Sequence, residues 1–233
     1  NEYWECALNG PSRAMVILMK IFADTSKVEE ITEFVSWGVI DGVTTNPKII
    51  ADDHNELEST ILAIAKLTSG PISVEVTTNE LEGMVSEAKK YAAWAPNVVV
   101  KIPIGATGLK ATKLLHGIGI KTNVTACMNM DQAVLAAKAG ATFVSLFWGR
   151  IGDLGFDPAI VVSETADIFE QGAFKSEIIV GSIRSMYDVH RAMTSGAHIV
   201  TVPPKFLKMM AYNPQSEKTI DEFLKAWEGI PKK

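Results

Sequence analysis

Cysteine is nearly missing from this chain. Cys6 and Cys127 are the two in 233 residues, and neither belongs to a CxxC or Cys/His pattern. That excludes a disulfide scaffold and a zinc site and makes a reducing, cytoplasmic setting the natural reading. Long apolar runs are missing too. AMVILM (14–19) is too short for a membrane span and lacks the basic flank and cleavage site of a signal peptide. No excess of positive charge exists: 22 Lys and Arg stand against 27 Asp and Glu, a net charge of -5. Nucleic acid is therefore a poor partner, although a few local arginines can still hold a small anion. There is no GxGxxG after the first strand-like segment, no P-loop, no EF-hand loop and no nucleophile elbow. The four histidines, His54, His116, His190 and His198, show no ligand spacing and read as helix-face or loop residues, so no metal is expected.

What remains is an ordinary globular balance, 47% hydrophobic and 21% charged. From Met19 onward the periodicity alternates between strand-like and helix-like. Strands are expected at 20–25, 41–46, 71–77, 98–104, 120–126, 141–147, 176–183 and 197–203, with a helical pattern after each. Thr25 or Ser26 is the expected N-cap of the first helix. Successive strand–helix units imply parallel strands with helical crossovers, and eight close most simply as a (β/α)8 TIM barrel. A doubly wound open sheet is the weaker alternative. Residues 1–18 resemble nothing that follows and read as a non-native or disordered leader. Residues 19–233 read as one barrel domain with an additional C-terminal helix at about 216–230.

The strand ends are polar. Asp24, Asn46, Glu75, Lys101, Asn123 with Thr125, Ser145 and Ser182 close the first seven strands. Alternation puts Ser73 and Glu75 opposite Ile72 and Val74, and Lys101 opposite Val100 and Ile102. The polar set should face the lumen and the apolar set the helices. A polar ring at the C-terminal mouth is where barrel enzymes do their chemistry.

VVVKIPI (98–104) raises the sharpest question, because it ends a doubly buried strand with a lysine. Desolvation of a lysine favours the free amine, which condenses with a carbonyl to a Schiff base and creates an electron sink. Asp24 and Glu75 are then candidates for proton transfer. Asn46, Asn123 and Ser145 can hold hydroxyl groups. The plainer alternative for Lys101 is an ion pair with Glu75 that closes the barrel mouth. FWGRIGDLG (147–155) puts Arg150 in a glycine-rich loop after strand six, and GSIR (181–184) puts Ser182 and Arg184 after strand seven. Together they suggest a phosphate clamp; taken singly, each arginine reads as a surface partner of Asp153 or Asp157. Met209 and Met210 read as packing, and the tryptophans as core or interface.

DGVTTNP (41–47) together with VVVKIP (98–103) resembles the transaldolase family in its short, single-barrel branch. FADT, SVEV, TNVT, LFWGR and GSIR follow in family order, so the resemblance covers nearly all of the chain after Met19. It implies a Schiff-base barrel enzyme with neither metal nor organic cofactor, acting on sugar phosphates in the pentose phosphate pathway. By position it implies Lys101 as the Schiff-base lysine, Asp24 as the acid/base at the C4 hydroxyl, and Glu75 with Thr125 handling a catalytic water. It further implies Asn46, Asn123 and Ser145 around the dihydroxyacetone unit, and Arg150, Ser182 and Arg184 around phosphate.

Fructose-6-phosphate aldolases share this pattern but tend to carry Gln at the position of Glu75 and Tyr at that of Phe147, so the present pair resembles transaldolase. A catalytically silent phosphosugar-binding barrel is the remaining alternative. Lys48, Gly105, Leu146, Trp148, Met186 and Tyr187 depart from the usual motifs without removing a catalytic group. The C-terminal helix, with Phe223, Leu224 and Trp227 on one face, implies by resemblance a homo-oligomer, a pentamer or decamer. The plainer alternative is a helix folded back on its own barrel.

Overall fold

The computed structural model describes residues 19–52 and 56–230. The leader expected at 1–18, and His54, lie outside the described residues.

The first half of the fold runs β1 (Lys20–Asp24), α1 (Val28–Trp37), β2 (Gly42–Thr44), α2 (Pro47–Asp52), α3 (Leu57–Leu67), β3 (Ile72–Glu75), α4 (Leu81–Ala92), β4 (Val98–Pro103) and α5 (Ala106–Gly117). The second half runs β5 (Thr122–Cys127), α6 (Met130–Lys138), β6 (Phe143–Phe147), α7 (Trp148–Asp153), α8 (Pro158–Gln171), β7 (Glu177–Gly181), α9 (Met186–Met193), β8 (Ile199–Val202), α10 (Pro204–Ala211) and α11 (Pro214–Glu228). The strands pair in chain order, all parallel, and β8 returns to β1, so the sheet is a closed barrel. Closure excludes the doubly wound sheet, which is open, has two edge strands and reverses its strand order at an internal switch point.

Three local expectations need correction. FWGRIGDLG is not simply a loop, because Trp148–Asp153 forms the short helix α7. Trp148 and Ile151 are buried on it, and that burial overrides the weak propensity of its glycines. Neither Thr25 nor Ser26 caps α1. The helix begins at Val28, while the Thr25 hydroxyl donates to Glu30 and accepts from the Lys27 amide. Met209 and Met210, read as packing, are 53% and 39% exposed. The pattern also gave no sign of α2, whose six residues are too short for a periodic signal.

Alternation along the strands divides the interior. Val74, Val100, Ile102 and their equivalents face outward into two large apolar layers under the helices. Phe22, Val99, Phe143, Ile179 and Ile199 form a separate cluster. These positions alternate with the helix-facing ones, so the cluster fills the lower lumen. Phe22 meets Phe143 edge to face at a centroid distance of 6.3 Å. This plug gives the polar mouth a dry floor.

α5 is set tightly against the end of β4. A Cβ added at Gly108 would lie 1.9 Å from the Pro103 carbonyl oxygen, which is backbone and cannot rotate away. Gly108→Ala is therefore expected to destabilise the barrel by about 1–3 kcal/mol, an overpacking cost. In a chain of this size that lowers the melting temperature by roughly 2–4 °C per kcal/mol. Thermal unfolding followed by circular dichroism checks it; an unchanged melting point would mean that α5 moves freely away from β4.

Candidate active site

The strand registers bring the polar ends together. Glu75 is opposite Lys101, Lys101 is opposite Asn123, and Asp24 is opposite Thr44. Asp24, Asn46, Glu75, Lys101, Ser145, Phe147, Arg150 and Ser182 line one cavity of about 360 Å³ at the C-terminal mouth. Lys48, Thr44 and Thr201 line it as well. A second hollow, of about 430 Å³, opens at the opposite end of the barrel, and Lys121 is the one charged residue on its wall. The paired acidic and basic groups are at the mouth alone of these two.

Lys101 does not snorkel. It is 5% exposed, its Nζ lies 3.1 Å from Glu75 Oε2, and it donates to the Thr45 carbonyl at 3.1 Å. The ion pair that the plainer reading required is thus present. It does not exclude chemistry, because an amine at the bottom of an open cavity can still meet a carbonyl. Asp24 accepts a hydrogen bond from the Thr44 hydroxyl at 2.8 Å. Burial pushes the Asp24 carboxyl above its ordinary range, and the Lys101 charge and the Thr44 hydrogen bond pull it partway back.

The other expected residues differ in what they touch. Asn123 is fully buried, donates to Ser73 Oγ at 3.1 Å and accepts from Ser145 Oγ at 2.7 Å. It therefore aims Ser145, which lines the cavity. Thr125 is 1% exposed, and its hydroxyl has no hydrogen-bond partner among the described residues. An orphan buried hydroxyl is costly and is typically retained where a partner arrives from outside the protein. Asn46 accepts from the Ile49 amide and so holds the start of α2. Ser182 follows β7 with a left-handed backbone, φ 61.

Arg150 and Ser182 share the Lys101 cavity, and Arg184 does not. Arg184 makes a bidentate pair with Asp153, 2.7 Å on each arm, and lines an adjoining hollow with Trp148 and Asp188. It lies across Gly149, where a Cβ would come within 2.4 Å of its Nε. The clamp expected from sequence is therefore divided in this structure. Sequence reasoning missed Thr44 and Thr201. Alternation could have found them, since Thr44 is two residues before Asn46 on the same face of the second strand. Among the described residues no group of three His, Cys, Asp or Glu side chains could hold a metal ion. No helix among them is long and apolar enough to cross a membrane. Cys127 is buried, which pushes its thiol up to about 12.

A raised carboxyl binds its proton more tightly in the folded than in the unfolded chain. Asp24 thus favours folding most below the unfolded value of 3.8, and that contribution is lost as pH rises through the folded value. At neutral pH the charged group is a burden. Asp24→Asn is expected to raise the melting temperature by a few degrees at pH 7, with the gain shrinking as pH falls toward 4. Scanning calorimetry across that range checks it, and a gain that grows on acidification would contradict the assignment of burial as the dominant cause.

A family profile described as transaldolase/fructose-6-phosphate aldolase matches residues 21–230. A probable transaldolase of Alkaliphilus metalliredigens is 44% identical over 92% of this chain and 100% of its own length. A probable transaldolase 2 of Listeria monocytogenes is 44% identical over 92% of this chain and 99% of its own. Among solved structures, the inosine 5'-monophosphate dehydrogenase of Legionella pneumophila superposes with a TM-score of 0.53 at 15% identity. That match covers 79% of this chain and 57% of the other, and at such low identity it speaks to the barrel fold alone.

Proposed function

The chain belongs to the transaldolase/fructose-6-phosphate aldolase family, and we propose that it is a transaldolase working through a Schiff base on Lys101. In this reading Lys101 attacks the C2 carbonyl of a ketose phosphate, sedoheptulose 7-phosphate or fructose 6-phosphate. Glu75, 3.1 Å from Nζ, takes and returns the protons needed to expel water. The unpartnered Thr125 hydroxyl is the group that can hold that water. Asp24 then accepts the C4 hydroxyl proton, the C3–C4 bond breaks, and its electrons pass into the imine to give an enamine. The aldose phosphate leaves, an acceptor aldehyde enters, and the steps run backwards. Asn46 and Ser145 hold the dihydroxyacetone hydroxyls, and Asn123 fixes Ser145. Arg150 and Ser182 meet phosphate first, with Arg184 completing the clamp on release from Asp153.

The single observation that carries this reading is the buried Lys101 in one cavity with Glu75, Asp24 and Phe147. Phe147 supports transfer over lyase activity, because it lacks the hydroxyl with which a tyrosine would help protonate the enamine. Fructose 6-phosphate with and without erythrose 4-phosphate separates the two outcomes. Glyceraldehyde 3-phosphate release is expected to depend on the acceptor, whereas sustained release without acceptor would make the protein an aldolase. Borohydride should trap a ketose phosphate adduct on the wild-type protein and none on Lys101→Ala, where activity should fall by at least about 1,000-fold. A wild-type protein that forms no adduct at saturating donor would be a binding barrel.

The same reading takes the protein as a cytoplasmic homo-oligomer in the pentose phosphate pathway. α11 supports self-association: none of its residues is buried, and Phe223, Leu224 and Trp227 are 70%, 58% and 68% exposed. Covering such side chains is worth about 1.5–3 kcal/mol each. Phe223→Ala with Trp227→Ala is expected to shift the protein to a smaller species on gel filtration with light scattering. An unchanged mass would place the contact between subunits elsewhere or remove it.

A further inference from the structure

Two buried threonines face the acid of the site and have no part in the reading so far. Thr44 on β2 is 3% exposed and Thr201 on β8 is 5% exposed, and their hydroxyls are in hydrogen-bond contact with each other between the two strands that flank β1. Thr44 also donates to Asp24 Oδ1 at 2.8 Å. A hydroxyl has one proton. If Thr44 gives its proton to Asp24, the proton between the threonines must come from Thr201. The contacts therefore have a direction, Thr201 to Thr44 to Asp24.

The direction is built into the packing. A Cβ added at Gly181 on β7 would lie 3.2 Å from Thr201 Cγ2, so the bare glycine is what admits the Thr201 methyl. A β-branched side chain is stiff at χ1, so seating the methyl there fixes where the hydroxyl points. Thr201 is thus aimed at Thr44 from one side, and β2 aims Thr44 at Asp24 from the other. A donor bonded to a charged acceptor is strengthened when its own oxygen receives a proton, as Thr44 does here.

We propose that Thr201 and Thr44 form a directed hydroxyl chain that positions the Asp24 carboxylate and keeps it ready to accept a proton. They are positioning residues and act through Asp24. The chain can also reverse. When Asp24 gains a proton, Thr44 can turn to accept from it and donate to Thr201, so the carboxyl and both hydroxyl oxygens keep their contacts in either state. The inference rests on the acid/base part given to Asp24 above. The charged groups around it are Lys101 from β4, Glu75 from β3, Arg150 from α7 and Lys48 from α2, all on the same cavity. Of these, the Lys101 charge is the one that acts on the Asp24 carboxyl, in the same sense as Thr44.

The test uses Thr44→Val and Thr201→Val, which keep shape and remove the hydroxyl, with Thr201→Ser restoring it. Carbon-13 NMR of aspartate-labelled protein, with Asp24→Asn for assignment, reads the carboxyl titration without turnover. Thr44→Val should move the Asp24 midpoint to higher pH, Thr201→Val should move it the same way by less, and Thr201→Ser, which keeps the hydroxyl but loses the seated methyl, should fall between Thr201→Val and the wild type. In turnover the acid limb of kcat/KM should move up in parallel, with kcat down roughly tenfold in Thr44→Val. Two valine variants that titrate like the wild type would overturn the chain, even if they are slow. A shifted titration in a protein that shows no donor turnover would leave the chain standing and sink the transaldolase reading instead.

Discussion

Everything at the mouth of this barrel depends on one lysine being held where lysines are rarely found. Lys101 is 5% exposed, with an apolar plug below it, Glu75 beside it and the Thr45 carbonyl, just after β2, accepting from its ammonium group. An unpaired charge in such a place would be costly, and removing one partner of a buried pair is far worse than never having had the pair. The pairing with Glu75 is therefore a structural necessity before it is a chemical one. The strand register supplies it directly, since residues 75 and 101 are ladder partners.

The same constraint spreads outward. Asn123 is the next ladder partner of Lys101, and its amide donates to Ser73 and accepts from Ser145. On the other side Asp24 is held by Thr44, and Thr44 by Thr201. The polar layer is thus a set of short chains of hydrogen bonds across strands, laid over Phe22, Val99, Phe143, Ile179 and Ile199. Such a layer stabilises little by itself, because every member was hydrogen-bonded in water before folding. It gains its rigidity from a closed barrel without edges, whose helix-facing residues form the larger apolar layers. Burdened groups such as Asp24 and the orphan Thr125 hydroxyl persist because that outer packing holds them in place.

The outer rim is ordered differently. Arg184 and Asp153 are each about half exposed, at 48% and 49%, so their pair is weak and easily exchanged for another anion. Arg150 already faces the cavity. A rigid floor with an exchangeable rim suits a ligand that is fixed at one end and carries its charge at the other.

How much of this was legible in the sequence depended on range. Period-two alternation in VVVKIP and ISVE determined which residues faced inward, because a strand can point a side chain only one way or the other. Eight repeats of strand and helix determined a parallel closed sheet. The leading candidates Asp24, Glu75 and Lys101 followed from those two facts and from the resemblance. Contacts between distant strands were not legible. That Thr201 lies against Thr44, 157 residues away, requires β8 to close on β1. That Asn123 is spent on Ser145, that Arg184 turns to Asp153, and that FWGRIGD winds into a helix were likewise decided by tertiary packing. Local pattern fixes the direction of a side chain. Its partner is chosen only when the barrel closes and each buried donor must find an acceptor.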